Sequence, residues 1–332
     1  MGLLVEGKWK DQWYDTAKSG GKFVRSTSGF RNWVTVDGSA GSSGDGGFKA
    51  EAGRYHLYIS HACPWANRTA IFRRLKKLED AISTSVVDFY MANEGWTFGG
   101  ESDGSTNDTL LGLDRLHQVY TAAKVDYTGR VTVPVLWDKG SETIVSNESS
   151  EIIRMLNSAF EAVTDDQYDY YPDSLRTEID EINERIYHTV NNGVYKCGFA
   201  TSQEAYEEAF DPLFETLDML DRRLGHQRYL VGDRITEADW RLFTTLVRFD
   251  PVYVGHFKCN KRRIADYPNL SNYTRELYQW PGVSDTINMR HIKGHYYVSH
   301  DMINPTRVTP IGPDIDYGVP HDRARLPSYA DA

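Results

Sequence analysis

Residues 55–66 read Tyr-His-Leu-Tyr-Ile-Ser-His-Ala-Cys-Pro-Trp-Ala, and this stretch decides the fold of the first half of the chain. Its aromatic and branched apolar residues are typical of a β-strand over 55–60. Pro64 suits the first turn of a helix, where its missing N–H is not needed. Apolar residues then recur at helical spacing, at Ile71, Leu75 and Leu78. The sequence therefore predicts a strand followed at once by a helix, with Cys63 between them.

The strands and helices predicted after this helix follow an order that is typical of an α/β domain. The predicted elements are a strand at 82–88, a long insertion at 91–125, a hairpin of strands 131–137 and 143–146, and a helix at 147–160. A strand, a helix and further strands in this order form one mixed unit. We therefore expect an α/β domain over residues 54–160.

Apolar residues recur with a different spacing in the remainder of the chain. Residues 161–173 are acidic and end near a proline, which indicates a linker, and residues 174–300 carry helical spacing throughout. Residues 1–53 show no clear amphipathic period but hold many aromatic side chains, so we expect an arm that packs on the body. Residues 301–332 form a proline-rich tail. The predicted architecture is an α/β thioredoxin-like domain followed by an all-α domain, with an arm and a tail.

Composition and charge exclude several classes of function. The 332 residues include 37 Lys and Arg against 47 Asp and Glu, a formal net charge of −10. This acidic excess disfavours a nucleic-acid interface or an anionic membrane surface, since both need a basic footprint. The sequence has no run of 18 apolar residues and no secretory apolar segment at its start, and three cysteines cannot build a disulfide framework. We therefore expect a cytoplasmic protein without a membrane partner.

Cys63 carries the clearest chemical signal in the sequence. A cysteine at a helix N-terminus is activated, because the helix dipole and free N–H groups stabilise its thiolate. Ala66 stands where redox motifs of this geometry have a second cysteine. A single thiol cannot release a mixed disulfide by itself, so it needs an external thiol, and glutathione is the abundant one in the cytosol. The alternative is a buried structural cysteine.

Two further segments are candidates for binding glutathione. Pro134 follows Val133 about 70 residues after the cysteine, and in thioredoxin-like folds such a proline is cis and leaves the backbone of the preceding residue available to a peptide-like ligand. Glu148 and Ser149 open a helix, where they either cap it or hold the ammonium and carboxylate of an amino acid. Arg130 precedes the proline and is a candidate partner for a second carboxylate.

Other reactive side chains point less clearly to chemistry. His61 with Cys63, and His256 with Cys259, are too poorly spaced for tetrahedral zinc, so no metal is expected. Cys197 and Cys259 are predicted to be inert thiols. Three tyrosines lie near the ends of helical segments, where they either pack in the core or face a cleft: Tyr195, Tyr253 and Tyr296.

Together, these motifs resemble the glutathionyl-hydroquinone reductase family, the Xi class of glutathione transferases. The resemblance covers essentially the whole chain. It rests on the motifs at Trp13-Tyr14-Asp15 and at residues 30–33, 63–66, 95–98, 130–138, 145–149, 191–196, 249–253 and 303–305. It implies the glutathione transferase fold, a homodimer, and removal of glutathione from glutathionylated hydroquinones.

The resemblance also implies roles for individual residues. Cys63 is the implied nucleophile, which forms a mixed disulfide with glutathione, the co-substrate. The implied glutathione-binding residues are Trp96, Arg130, Val133, Glu148 and Ser149. The implied substrate-binding and catalytic tyrosines are Tyr195, Tyr253 and Tyr296, with Tyr195 expected to donate the proton. Three alternatives remain at this stage: a conjugating glutathione transferase, a general thiol transferase, and a non-catalytic interaction module.

Overall fold

The computed structural model describes residues 2–100 and 102–327. The chain divides into two compact units, each assembled from three segments. The first unit comprises Met1–Trp13, Ser26–Tyr168 and Asp285–Thr309, and the second comprises Tyr14–Arg25, Asp169–Ser284 and Pro310–Ala332. The contiguous boundaries suggested by the sequence, at residues 53, 160, 173 and 300, stay a prediction.

The described residues of the first unit form two β-sheets. Its strands are β1 (Leu3–Val5), β2 (Lys8–Lys10), β3 (Tyr55–Ile59), β4 (Ile82–Val86), β5 (Gly129–Arg130), β6 (Val135–Asp138) and β7 (Thr143–Ser146). The larger sheet has the order β4-β3-β6-β7. Strand β3 runs parallel to β4 and antiparallel to β6, so that Tyr55 lies between Ile82 and Asp138. All five residues of β3 are buried, because both faces of this central strand are covered.

The described residues form the α-helices α1 (Pro64–Leu75), α2 (Leu116–Ala123), α3 (Ser149–Ser158), α4 (Arg176–Ile186), α5 (Gly193–Gly198), α6 (Gln203–Leu224), α7 (Glu237–Arg248), α8 (Pro268–Tyr278) and α9 (Met289–Ser299). Helices α1, α2, α3 and α9 belong to the first unit. Helix α1 connects the parallel strands β3 and β4 and packs against α3. The predicted strand 55–60, the helix start at Pro64 and the α/β class of this unit are confirmed.

Three parts of the first unit differ from the sequence-based predictions. The strand predicted to begin at Val131 begins at Val135, because the backbone turns at the proline before it. The insertion at 91–125 contains helix α2. The arm contributes strands β1 and β2, which form a second sheet with β5 in the order β2-β1-β5.

The second unit is helical, as the period of the sequence predicts. The apolar residues that recur at helical spacing are buried in α4, and in α6 they are buried from Leu213 onward, whereas Phe210 is half-buried. A capping box opens α7, with Thr236 and Asp239 bonded to one another's backbone N–H groups. Within the described part of this unit, π-helical turns lie at Tyr187–Asn191 and Phe249–Tyr253.

Residues 310–327 of the C-terminal tail contact the rest of the second unit through several side chains, among them the buried Arg323. The guanidinium of Arg323 donates hydrogen bonds to the carbonyl oxygens of Leu224, Gln227 and Arg228 and stacks on the ring of Tyr273. These bonds satisfy carbonyls at and just beyond the end of α6. Across residues 2–100 and 102–327, none of the helices has the length and apolar character that crossing a membrane requires.

Candidate functional site

Cys63 is the N-cap residue of α1. Its backbone is extended (φ −77°, ψ 122°), and its carbonyl oxygen accepts the first helical hydrogen bond, 3.0 Å from the Asn67 nitrogen. Pro64 occupies the first helical position. The positive end of the helix dipole therefore acts on the thiol. The cysteine is only half-buried, which leaves the thiol partly exposed. The predicted position of Cys63 between strand and helix is confirmed.

The backbone before Pro134 faces this thiol. The Val133–Pro134 peptide bond is cis, as predicted, and the sulfur of Cys63 lies 3.6 Å from the carbonyl oxygen of Val133. Val133 itself is buried, with 4 % of its surface exposed. The structure therefore brings together two of the predicted site residues, one from the start of α1 and one from the loop before β6.

Glu148 caps helix α3 and carries a stabilised negative charge. Its carboxylate accepts hydrogen bonds from the backbone N–H and hydroxyl of Ser150, at 3.2 and 2.9 Å, and from the hydroxyl of Ser28, at 3.0 Å. Burial alone would raise the pKa of Glu148, but these bonds and the positive charge of Arg68 lower it below its ordinary value. Ser149, the first residue of α3, is buried. The capping role of Glu148 is present, and the ligand-binding role stays a prediction.

A hydrogen-bonded chain ties the start of α3 to the loop that contains the cis proline. Asn147 donates from its amide to the hydroxyl of Tyr120 (3.0 Å), and that hydroxyl donates to the carbonyl of Thr132 (2.8 Å). The arm joins the same network, since the amide oxygen of Asn147 accepts from the backbone N–H of Phe30 (3.0 Å). These bonds fix the two candidate glutathione-binding segments relative to one another.

Arg68 is a residue of this region that the sequence did not single out. It lies five residues after Cys63 on α1, is 1 % exposed, and stacks on Trp65 with 4.6 Å between its guanidinium carbon and the ring centre. Its charge helps to keep Glu148 ionised. A lone arginine within a helix normally indicates a solvated face, so only the folded structure reveals this buried cation.

Arg130 lies at the edge of the arm sheet. It belongs to β5, opposite Leu3 of β1, and its guanidinium donates to the carbonyl oxygen of Gln12. This contact holds the arm, and the predicted role of Arg130 toward a carboxylate of glutathione stays a prediction.

Trp96 and Tyr296 both contact an aromatic cluster in the first unit. Trp96 is buried and stacks on His295, with ring centres 4.7 Å apart. Tyr296 on α9 is buried between His295 and His300, at 5.3 and 5.5 Å. Burial lowers the pKa of His295 to about 4, so its ring is neutral, and Nδ1–H donates to the carbonyl of Phe89 (2.9 Å). Their roles toward substrate stay predictions.

Tyr195 and Tyr253 lie together in the second unit, with ring centres 6.1 Å apart. Each is positioned by a π-helical turn: one turn precedes α5, which carries Tyr195, and the other ends at Tyr253. Such turns are frequent at functional sites, and they were not predicted from the sequence. Both tyrosines are buried, with 8 % and 0 % of their surfaces exposed. Their catalytic roles stay predictions.

The other two thiols are buried and lie side by side. Burial and a hydrogen bond with Cys197 raise the pKa of Cys259 well above its ordinary value. Cys259 therefore stays a protonated thiol at neutral pH, which agrees with its predicted inertness. In the described part of the chain, no group of three or more His, Cys, Asp and Glu side chains is arranged to hold a metal ion.

Comparisons with known proteins agree with this geometry. The family model of the glutathione S-transferase N-terminal domain matches residues 62–159, and that of the C-terminal domain matches residues 203–276. The chain is 59% identical to glutathionyl-hydroquinone reductase YqjG of Escherichia coli over 97% of this chain and 98% of the relative.

Solved structures extend the similarity to three dimensions. The glutathione-bound structure of YqjG from Escherichia coli superposes with a TM-score of 0.90 at 55% identity, covering 97% of this chain and 99% of the other. A Xi-class glutathione transferase from Natrialba magadii superposes with a TM-score of 0.90 at 48% identity, covering 99% and 98%. The predicted glutathione transferase fold is thereby confirmed, and the chain belongs to the glutathionyl-hydroquinone reductase family, the Xi class of glutathione transferases.

Proposed function

We propose that this chain is a glutathione-dependent reductase that removes glutathione from glutathionyl-hydroquinones and yields hydroquinone and oxidised glutathione. One observation carries the proposal: Cys63, a single half-buried thiol at a helix start, faces the Val133 carbonyl, and Ala66 stands where a second, resolving cysteine would be. A lone activated thiol suits chemistry in which glutathione itself resolves a mixed disulfide. The 59% identity to a protein of that name supports the same reaction.

The first half-reaction transfers the glutathione sulfur to the enzyme. A proton is added to the ring carbon that bears sulfur while a ring hydroxyl loses one, which gives the keto tautomer. The Cys63 thiolate then attacks the glutathione sulfur, so an S–S bond forms and the C–S bond breaks. The electron pair of the C–S bond stays with the ring and moves onto the keto oxygen, which restores the aromatic ring as a phenolate. Protonation of that oxygen gives the hydroquinone. This route avoids a bare carbanion.

The second half-reaction restores the enzyme. The thiolate of a second glutathione attacks the glutathione sulfur of the mixed disulfide, which forms oxidised glutathione and expels the Cys63 thiolate. Overall, the sulfur of the conjugate and the sulfur of the second glutathione each give up one electron, and these two electrons reduce the C–S bond to C–H. The reaction needs no metal and no other co-substrate.

Glutathione is held, in this proposal, by five residues of the first unit: Trp96, Arg130, Val133, Glu148 and Ser149. The ionised carboxylate of Glu148 suits the ammonium of the γ-glutamyl group, and the N-terminus of α3 at Ser149 suits the adjacent carboxylate. The backbone of Val133 pairs with the peptide part of glutathione, close to the thiol that attacks.

Three tyrosines act on the aromatic substrate in this proposal. We assign proton donation to Tyr195, and hydrogen bonding to the reacting sulfur or ring oxygens to Tyr253 and Tyr296. The assignment rests on the family resemblance, and it is supported by the π-helical turns beside Tyr195 and Tyr253.

We further propose a cytoplasmic homodimer. The cytoplasm supplies reduced glutathione and keeps Cys63 a free thiol. The homodimer follows from the family resemblance, and analytical ultracentrifugation at micromolar concentration tests it.

The deciding experiment compares wild type with Cys63→Ala on a panel of glutathionylated hydroquinones. We expect the variant to lose turnover while it still binds glutathione, because binding and thiol chemistry depend on different residues. Cys197→Ala is the matched control and should keep turnover, since that thiol is buried away from the sulfur chemistry proposed here. Turnover near the wild-type level in Cys63→Ala would contradict the proposal.

Two companion substrates separate the alternatives. An electrophilic aryl halide reports glutathione conjugation, and a small mixed disulfide of glutathione reports general thiol transfer. The proposed function predicts that the glutathionyl-hydroquinones have the highest kcat/KM of the three classes. A preference for the aryl halide would identify a conjugating transferase, and no turnover of any class would identify a non-catalytic module.

A further inference from the structure

Arg25 lies over the ring of Tyr195. Its guanidinium carbon is 4.8 Å from the centre of that ring, within the range of an attractive cation–π contact, and 5.4 Å from the centre of the Phe23 ring. Arg25 is half-buried, and both residues belong to the second unit. The arm segment at 14–25 thus brings a positive charge to the tyrosine that the proposed function assigns as proton donor.

A hydrogen bond fixes the arginine in this position. Its Nε–H donates to the side-chain oxygen of Asn192 at 3.0 Å. Asn192 is buried, and it lies immediately before α5, three residues ahead of Tyr195. The same helix start therefore holds both the cation and the phenol, so their separation depends little on the rest of the arm.

The other neighbours of the Tyr195 ring are mostly apolar. Phe23, Phe199 and Phe257 lie with ring centres 6.4, 6.1 and 5.5 Å away. Such surroundings disfavour negative charge on a phenol oxygen. Titratable groups on the surrounding elements include Tyr253, Lys196, the buried pair Cys197 and Cys259, and His256 against Phe257. Tyr14 packs on Phe23, and the groove beside Arg25 is also lined by Lys22, His188 and Glu208.

We propose that Arg25 is a positioning residue that stabilises the negative charge developing on the Tyr195 oxygen as the phenol gives up its proton. The inference rests on the proposed function. When the Tyr195 O–H bond breaks, the proton goes to the substrate carbon that bears sulfur and the electron pair stays on the tyrosine oxygen. The proton lost from the ring hydroxyl of the hydroquinone returns to solvent, and solvent reprotonates the tyrosinate. Attraction between guanidinium and ring is stronger for the electron-rich tyrosinate than for the neutral phenol.

A double-mutant cycle tests the coupling. Turnover of a glutathionyl-hydroquinone is measured for wild type, Arg25→Met, Tyr195→Phe and the double variant. We expect Arg25→Met to lower kcat about tenfold in the wild type and less than about twofold in the Tyr195→Phe background, because the charge has no tyrosinate left to stabilise. Equal losses in both backgrounds, or no loss in either, would overturn the proposal.

Two further variants separate charge from packing. Arg25→Lys keeps the cation and should retain most of the wild-type kcat and pH profile, whereas Arg25→Met should move the pH profile of kcat to higher pH. Arg176→Met is the matched control, because it removes an arginine stacked 5.0 Å above Tyr171 in the same unit. It should leave the profile unchanged. A profile that Arg25→Met does not move would reduce Arg25 to a packing role and overturn the proposal.

A measurement without substrate distinguishes this inference from the proposed function. The ultraviolet absorbance of tyrosinate is titrated for the same four proteins, and subtracting each Tyr195→Phe curve isolates Tyr195. We expect its ionisation midpoint to rise by about one pH unit in Arg25→Met. A shifted midpoint in a protein without reductase activity would refute the proposed function alone. An unshifted midpoint in an active enzyme would refute the role of Arg25 alone.

Discussion

The sulfur of Cys63 lies 3.6 Å from the carbonyl oxygen of Val133. The two residues are 70 positions apart, and the sheet brings them together because β3 and β6 are antiparallel neighbours. In the proposed function, glutathione pairs with the backbone of Val133 and thereby presents its own sulfur next to the thiol. The proposal therefore places glutathione binding and thiol attack in one small region.

The position of Cys63 predicts a reactive thiolate. We expect its alkylation by iodoacetamide to have a midpoint below the free-thiol value of about 8.5, because α1 begins at the next residue. The measurement is the alkylation rate against pH in a protein that carries Cys197→Ala and Cys259→Ser. A midpoint at or above the free value would show that the helix start does not activate this thiol.

Glu148 is predicted to bind the ammonium of glutathione. Since its pKa is lowered, the carboxylate stays charged between pH 5 and 8, and Glu148→Gln should raise the KM for glutathione about tenfold or more while kcat changes little. Glu151→Gln is the control on the same helix, because Glu151 pairs with Arg31 of the arm. An equal rise of KM in both variants would assign the effect to packing of the arm.

The three tyrosines are predicted to affect rate more than stability. Each Tyr→Phe change at Tyr195, Tyr253 and Tyr296 should lower turnover, about a hundredfold where the hydroxyl transfers the proton, and lower the unfolding free energy by about 1 kcal/mol or less. Tyr267→Phe is the control, because that buried hydroxyl donates to Asp218 at 2.9 Å. It should reduce stability and spare turnover. If all three variants melt early and keep full turnover per folded molecule, the tyrosines are core residues.

His295 predicts a loss of stability in acid. Its pKa is about 4 in the folded chain against an ordinary 6.5, so the unfolded chain binds a proton that the folded chain does not as pH falls through this interval. The folded state keeps the full advantage of the neutral His295 ring above about pH 6.5 and loses it as pH falls toward about 4. The loss in unfolding free energy over this interval is about 3 kcal/mol or less. His295→Gln should therefore show a shallower fall of melting temperature between pH 7 and 5. Parallel curves for the two proteins would contradict this prediction.

The elements around Cys63 were predictable because their signals are local. Strand β3 has a continuous run of buried residues, and Pro64 marks the first position of α1. Helix α2 was missed because it has only eight residues and its N-cap, Arg115, is not a typical capping residue. The strands of the arm were missed because each has three residues, and β1 pairs with β5, more than 120 positions away.

Residues of the candidate site could be predicted from the sequence only where a residue type in its local motif indicates one chemical role. Cysteine before a helix-starting proline is such a case. Arg68 and Arg25 are not such cases. The influence of the Arg68 charge on Glu148 and the stacking of Arg25 over Tyr195 arise only in the folded chain. The π-helical turns beside Tyr195 and Tyr253 likewise leave no mark in the helical period of the sequence.

The measurement that tests the central claim most directly is a single turnover followed by intact-protein and peptide mass spectrometry. One equivalent of a glutathionyl-hydroquinone is mixed with reduced enzyme in the absence of free glutathione. The account predicts one equivalent of hydroquinone and one glutathione bound by a disulfide at Cys63, which added glutathione then releases as oxidised glutathione. Release of hydroquinone with no adduct at Cys63, or with the adduct at Cys197 or Cys259, would contradict it.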